Sequence, residues 1–185
     1  MTDTTTNQPA SVYDLSHEVE EESRATFAVL VDNEPGVLHR LVGLFAARGY
    51  NIESLTVAET DHKAHTSRVT IVTRGTHHVL GQIEAQLTKM VSTRHVQDVT
   101  RDPNGLEREL ALVKVKGTGA DRVEALRVSD IFRAKVIDTT HESFVFELTG
   151  APSKIDRFTD LMRPLGLVEV SRTGVLSIQR GVDAL

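Results

Sequence analysis

The sequence predicts an α+β protein built from two consecutive βαββαβ units. Three observations carry this. Runs rich in β-branched residues alternate with runs whose apolar residues recur every three to four positions, in the order strand, helix, strand, strand, helix, strand. The tetrapeptide Asp102-Pro103-Asn104-Gly105 is the clearest break in the chain. After it the same order of elements begins again, with no obvious sequence identity to the first. Each unit has the split-βαβ, ferredoxin-like plan: a four-stranded antiparallel sheet with two helices on one face.

Residues 1–23 are rich in Thr, Ser and Glu, with Glu18, Glu20, Glu21 and Glu22 close together, and no apolar period is sustained. They read as a flexible N-terminal arm, with a short helix over Ser16–Arg24 compatible with the composition. The first unit spans residues 24–101. Thr26–Val31 is apolar and β-branched without a breaker, and reads as a buried strand. The turn Asp32-Asn33-Glu34-Pro35-Gly36 follows. Leu38, Leu41, Val42 and Phe45 then fall at i, i+3, i+4 and i+7, one face of a helix. Asn33 is a candidate cap and Pro35 suits the first turn, while Arg48-Gly49 closes the helix. Tyr50–Val57 and Ser67–Thr73 read as strands around a polar turn. Leu80, Ile83, Leu87 and Met90 mark a helix over Thr76–Met90, and Val96–Thr100 is a short strand.

The second unit spans residues 106–181. Glu109–Lys116 is a strand with Ala111, Val113 and Val115 on one side. Ala120–Phe132 is a weakly periodic helix with Asp121 and Glu124 at capping-box spacing. Lys135–Thr140 and Ser143–Thr149 form a hairpin, the latter aligning Phe144, Phe146 and Leu148. Ser153 is a candidate cap for a helix with the stripe Ile155, Phe158, Met162 and Leu165. Leu167–Arg172 and Val175–Ile178 supply the closing strand or strands. Val29 and Val31 alternate with Ala28 and Leu30, so the first strand has two apolar faces. That implies burial from both sides, and hence pairing with another copy.

Composition narrows the function classes. With 21 Lys and Arg against 26 Asp and Glu, the chain carries −5 with neutral His, which argues against a broad electrostatic grip on nucleic acid. No apolar run is long enough to span a bilayer and no secretory signal opens the chain, so a cytoplasmic protein without a membrane is expected. No Cys is present, which excludes disulfides and thiolate chemistry. His62, His65, His77 and His78 lack an HExxH pattern and read as loop histidines, so no metal is expected. Gly117-Thr118-Gly119 fails the dinucleotide pattern because position 122 is Arg, and no P-loop is present. No G-x-S-x-G elbow supports a nucleophile. Phe144 and Phe146 are the candidate base-stacking pair of an RNA-binding sheet, but they read as core. Arg40, Arg48 and Arg68 could reach an anion and read as surface cations.

The turn before the first helix offers one chemistry, recognition of a small anion. A helix N-terminus presents unpaired N–H groups and a partial positive charge, and Gly36 has no Cβ to hold a ligand off the backbone. The string Asp32-Asn33-Glu34-Pro35-Gly36-Val37-Leu38 resembles the strand–turn–helix signature of ACT domains, small modules that sense amino acids. The more specific string Arg48–Val57 resembles the regulatory (small) subunit of acetohydroxyacid synthase, also called acetolactate synthase. The resemblance continues through Glu107–Val115 and ends near Gly181.

It implies a non-catalytic subunit that activates a large catalytic subunit and confers feedback inhibition by valine in branched-chain amino acid synthesis. It also implies that thiamine diphosphate, FAD and Mg²⁺ belong to that partner, with no cofactor in this chain. The effector site it implies is Asn33, Gly36 and Val37 of one chain with Asn51 and Ile52 of the paired chain, in a homodimer formed through the ACT domain. The alternative is a stand-alone tandem ACT regulator of gene expression or of another enzyme. Arg48–Val57, which a generic ACT module need not carry, separates the two readings.

Overall fold

The computed structural model describes residues 21–182. Most of the arm therefore lies outside the described residues, while Ser23 and Arg24 already belong to the first strand. The elements are β1 (Ser23–Asp32), α1 (Val37–Arg48), β2 (Ser54–Asp61), β3 (Thr66–Gly75), α2 (His77–Thr88) and β4 (Thr93–Asp98). They continue with β5 (Gly105–Lys116), α3 (Gly119–Phe132), β6 (Lys135–Thr139), β7 (Ser143–Gly150), α4 (Pro152–Met162), β8 (Leu167–Arg172) and β9 (Leu176–Gln179). The first sheet has the order β2-β3-β1-β4, the second β6-β7-β5-β8, and every pairing is antiparallel.

Each sheet packs two helices over an apolar core. In the first, Phe27, Val29 and Ile71 meet Leu41 and Phe45 of α1 and Leu80, Ile83 and Leu87 of α2. In the second, Ala111, Val113, Val115, Phe144, Phe146 and Leu148 meet Ile155, Phe158 and Met162 of α4. Burial of each such side chain stabilises by about 1.5–3 kcal/mol, which is why the periodic stripes fix these faces. Among the described residues no helix is long and apolar enough to cross a membrane.

Local expectations differ from the structure in several places. Asn33 does not cap α1. The N-cap is Gly36, at φ +85° and ψ −3°, with no side-chain cap bond. The Val37 N–H donates to the Glu34 carbonyl at 3.3 Å, so Glu34-Pro35-Gly36-Val37 is a tight turn with Pro35 and Gly36 at its centre. Its positive φ at the third position is that of a type II turn, which uses Pro then Gly and places Pro35 ahead of the helix. Leu38 and Val42 turn outward, 43% and 38% exposed, because Val37, Leu41 and Phe45 take the buried face.

β2 begins at Ser54 rather than Tyr50. The left-handed Gly49, at φ +69°, turns the chain so that the Tyr50 N–H bonds back to the Phe45 carbonyl at 3.0 Å. Asp121 and Glu124 form no capping box. Thr118 occupies the N-cap without a side-chain bond, and Glu124 pairs with Arg127 at 2.8 Å. Ala151, not Ser153, precedes α4, with Pro152 opening the helix.

The second apolar face of β1 is covered by this chain itself. Leu55 and Ile71 join the helix-side core, so Ser54, Thr56, Thr70, Val72, Thr26 and Ala28 point the other way. Over them lies the end of the chain. Thr56 donates to the Val175 carbonyl at 3.2 Å, and the Val175 N–H donates to the Ser54 hydroxyl at 3.0 Å. β9 pairs with Gly105–Arg108, an extension of β5 beyond the second sheet. Asp102 accepts from both Gln97 and Gln179, at 2.7 and 2.8 Å. Thr26 and Ala28 are consequently fully buried, as are Val99, Val175 and Ser177. The double-faced pattern of β1 thus needs no second copy to explain it.

Candidate functional site

The sites implied for Asn33, Gly36 and Val37 lie together at the start of α1. Asn33 is exposed, and its N–H donates to the His65 carbonyl at 2.7 Å. His65 itself is left-handed, at φ +47°. This bond ties the β1–α1 turn to the β2–β3 turn, so the position of the turn is set by two loops. Gly36 is exposed, and a Cβ there would meet only an Arg40 guanidinium nitrogen, at 3.7 Å. The Val37 side chain is buried in the core, and its N–H is already engaged by Glu34.

Of the first four helix N–H groups, Arg40 bonds to the Gly36 carbonyl at 2.9 Å. Those of Leu38 and His39 have no acceptor among the described residues, and they are the donors an anion would meet. Beside them runs an open groove of about 560 Å³ lined by Asp32, Glu34, Arg40, Lys89, Met90, Val91 and Ser92.

Asn51 and Ile52 lie beyond the other end of α1. The loop is pinned by the Asn51 carbonyl accepting from Thr73 at 2.5 Å and by the Glu53 N–H donating to the Val72 carbonyl at 2.8 Å. The twelve residues of α1 separate the two groups by about 18 Å at 1.5 Å per residue. Within one chain the two groups cannot touch the same amino acid. A ligand held by both must lie between two chains.

A second cleft, about 490 Å³, separates the two units. Its walls are occupied by their own charges. Arg24 reaches Glu107 at 3.0 Å and Glu53 at 3.8 Å, Arg74 pairs with Glu53 at 2.5 Å, and Arg172 bridges Glu109 and Asp156. Two donors from Arg172 to the buried Glu109 hold its guanidinium well above its usual pKa. Each cation lining this cleft has a carboxylate partner, so the cleft is a paired interface rather than an anion receptor.

The remaining candidates resolve simply. Phe144 and Phe146 are buried in the second core, 5.4 Å apart, and present no stacking face. Arg122 lies 3.9 Å over the Phe144 ring and donates to Thr139, closing the start of α3. His62 bonds Glu59 at 2.8 Å, and no three His, Asp or Glu among the described residues come together as metal ligands. Arg40 pairs with Glu34 and Arg48 with Gln86, but Arg68 has no partner among the described residues. The Ser54 and Thr56 contacts carried no sequence signal, since hydroxyls that bind backbone atoms across a domain boundary have no spacing rule.

Comparison with known proteins places this geometry. Residues 27–95 match the family described as AHAS small subunit-like ACT domain, and residues 108–181 the family described as small subunit of acetolactate synthase. The chain is 44% identical over 159 residues to the acetolactate synthase isozyme 3 small subunit of Escherichia coli, covering 85% of this chain and 96% of that one. It is 44% identical over 156 residues to a probable acetolactate synthase small subunit of Archaeoglobus fulgidus, covering 84% and 96%. The crystal structure of the acetolactate synthase small subunit from Thermotoga maritima superimposes with a TM-score of 0.75 at 36% identity, covering 87% of this chain and 99% of that one. The chain belongs to the acetolactate synthase small-subunit family, and its first unit is an ACT domain.

Proposed function

We propose that this chain is the regulatory subunit of an acetolactate synthase, raising the activity of a large catalytic subunit and making it sensitive to valine. Thiamine diphosphate, FAD and Mg²⁺ belong to that partner, and this chain performs no chemistry. Two copies pair through the ACT domain. The surfaces available for pairing are the free edge of β2 and the outward stripe of α1, where Val57, Leu38 and Val42 are exposed.

The observation that carries the effector site is the span of α1. Asn33, Gly36 and the free N–H groups of Leu38 and His39 stand at one end, and Asn51 and Ile52 stand at the other. Pairing two chains side by side supplies both ends to one ligand. The helix terminus then holds the valine carboxylate, the Asn side chains orient its polar groups, and aliphatic side chains receive the isopropyl group. One methylene changes affinity in an apolar pocket by only about 1–3 kcal/mol, so leucine and isoleucine act as weaker effectors.

The test is reconstitution with a cognate catalytic subunit, with and without valine. Acetolactate formation rises on adding this chain and falls again with valine. No rise, or substantial turnover by this chain alone, overturns the reading.

A further inference from the structure

We infer that the end of the first sheet left bare by β9 is a docking surface for the catalytic subunit, with Arg68 as its anchor for a carboxylate. This rests on the regulatory-subunit reading above.

Rows of cross-strand neighbours define the surface. Thr26, Val72 and Ser54 form one row, and Ala28, Thr70 and Thr56 the next. In these two rows Thr26, Val72, Ala28 and Thr70 are 0–3% exposed, beneath the end of the chain. The third row, His95, Leu30, Arg68 and Ala58, lies beyond that cover, with His95 and Ala58 exposed and Leu30 and Arg68 partly buried.

Arg68 is the exception among the arginines of this unit. Arg24, Arg40, Arg74, Arg94 and Arg101 each meet a carboxylate, and Arg48 meets Gln86. Arg68 meets none among the described residues, and its Nε is buried without an acceptor. Burial pushes its pKa below the usual arginine value. A cation that has lost part of its water without gaining a partner is costly, and that cost is recovered when another molecule brings a carboxylate.

A second copy of this chain does not fit. A two-fold contact would set the same patch against itself, and among the described side chains that patch brings no spare carboxylate. Asp32 is taken by Arg94 at 2.6 Å and Glu59 by His62 at 2.8 Å. A different protein, presenting an Asp or Glu among apolar side chains that meet Leu30 and Ala58, satisfies the site.

The experiment titrates the catalytic subunit with full-length wild type, Arg68→Lys, Arg68→Gln and Arg68→Glu, following acetolactate formation. The concentration giving half-maximal activation rises about 10–30-fold for Arg68→Gln, more for Arg68→Glu and less for Arg68→Lys. Thermal melting of each free variant stays at or above the wild-type value, since no intrachain bond is lost, and sedimentation is unchanged. Half-maximal concentrations within twofold of wild type overturn the inference. So does a variant that sediments differently from wild type, because the patch then joins copies of this chain. A wild-type chain that activates no acetolactate synthase instead overturns the regulatory reading, and this inference with it.

Discussion

The Val175 N–H donates to the Ser54 hydroxyl at 3.0 Å, joining the residue just before β9 to the residue that opens β2. Gly174 makes this approach possible. It is left-handed at φ +83°, and a Cβ there would stand 2.6 Å from the Ser54 hydroxyl and 2.9 Å from that of Thr56. Gly174→Ala therefore combines backbone strain with a steric push against β2, and should cost about 2–3 kcal/mol. Ser54→Ala removes one acceptor and should cost about 1 kcal/mol. Urea unfolding checks both. If Gly174→Ala is as stable as wild type, β9 does not hold the outer face of the first sheet.

A chain ending at Arg101 should fold, because the first core draws only on β1 to β4, α1 and α2. It should also be stickier than the full chain. Without β9, Thr26, Ala28, Val72 and Val99 lose their cover and leave an apolar sheet face in water. Binding of a hydrophobic dye, and sedimentation beyond a dimer, are the expected signs. A fragment that sediments as a monomer and binds no dye contradicts this account of the outer face.

The stripes Leu41/Phe45, Leu80/Ile83/Leu87, Phe144/Phe146/Leu148 and Ile155/Phe158/Met162 were legible because each is local and periodic, and each lies in a core as expected. The two apolar faces of β1 were legible too, but not what covers the outer one. Periodicity shows that a face is buried without naming the burying element. Val175 reaches that face from far along the chain, through hydroxyls with no spacing rule. Caps were the weakest point. Asn33 and Ser153 have the right side chains three and two residues from the capping positions, which Gly36 of a type II turn and Ala151 occupy instead. The candidate residues of the proposed effector site came from the turn and the resemblance. That Val37 points inward, while Leu38 and His39 offer the free N–H groups, needed the helix register.

Arg172 holds the buried Glu109 through two bonds, at 2.8 and 2.5 Å, and Asp156 through one at 2.6 Å. Arg172→Ala leaves Glu109 buried without its cation. A fully buried pair would lose about 3–5 kcal/mol, but Arg172 is partly solvated, so about 2 kcal/mol is expected. Glu109→Gln with Arg172→Ala should recover part of this, because a neutral amide is cheaper to bury than a carboxylate. The folded-state pKa of Arg172 lies above its unfolded value. Its contribution is thus complete at every pH below the unfolded value and is lost only as pH rises through the folded one. The Arg172→Ala penalty should therefore be level between pH 6 and 9 in urea unfolding, with no loss in that window assignable to Arg172.

Gly36→Asp should remove valine inhibition while leaving activation in place. At φ +85° any side chain strains the backbone by about 1–2 kcal/mol, so the variant should melt a few degrees lower than wild type. The added carboxylate would lie beside the N–H groups of Leu38 and His39, where the valine carboxylate is expected to bind. Two carboxylates about 4–6 Å apart repel by about 3 kcal/mol at an effective dielectric near 20, which is about two decades in affinity. Arg40 tempers this, since its guanidinium lies 3.7 Å from the new Cβ and is held only by an exposed pair with Glu34. A loss of between one and two decades in valine sensitivity is therefore expected. Gly36→Ala carries the strain without the charge and should lose far less. Asn51→Ala would remove the hydrogen bonds proposed to the ligand at the other end of α1 and should weaken inhibition by less than Gly36→Asp. Because regulation is a coupling free energy, loss of binding removes inhibition even where the contacts to the catalytic subunit persist. The measurement is a valine titration of the reconstituted enzyme with each variant, at small-subunit concentrations that saturate activation. Equal valine sensitivity for wild type and Gly36→Asp would place the effector away from the start of α1.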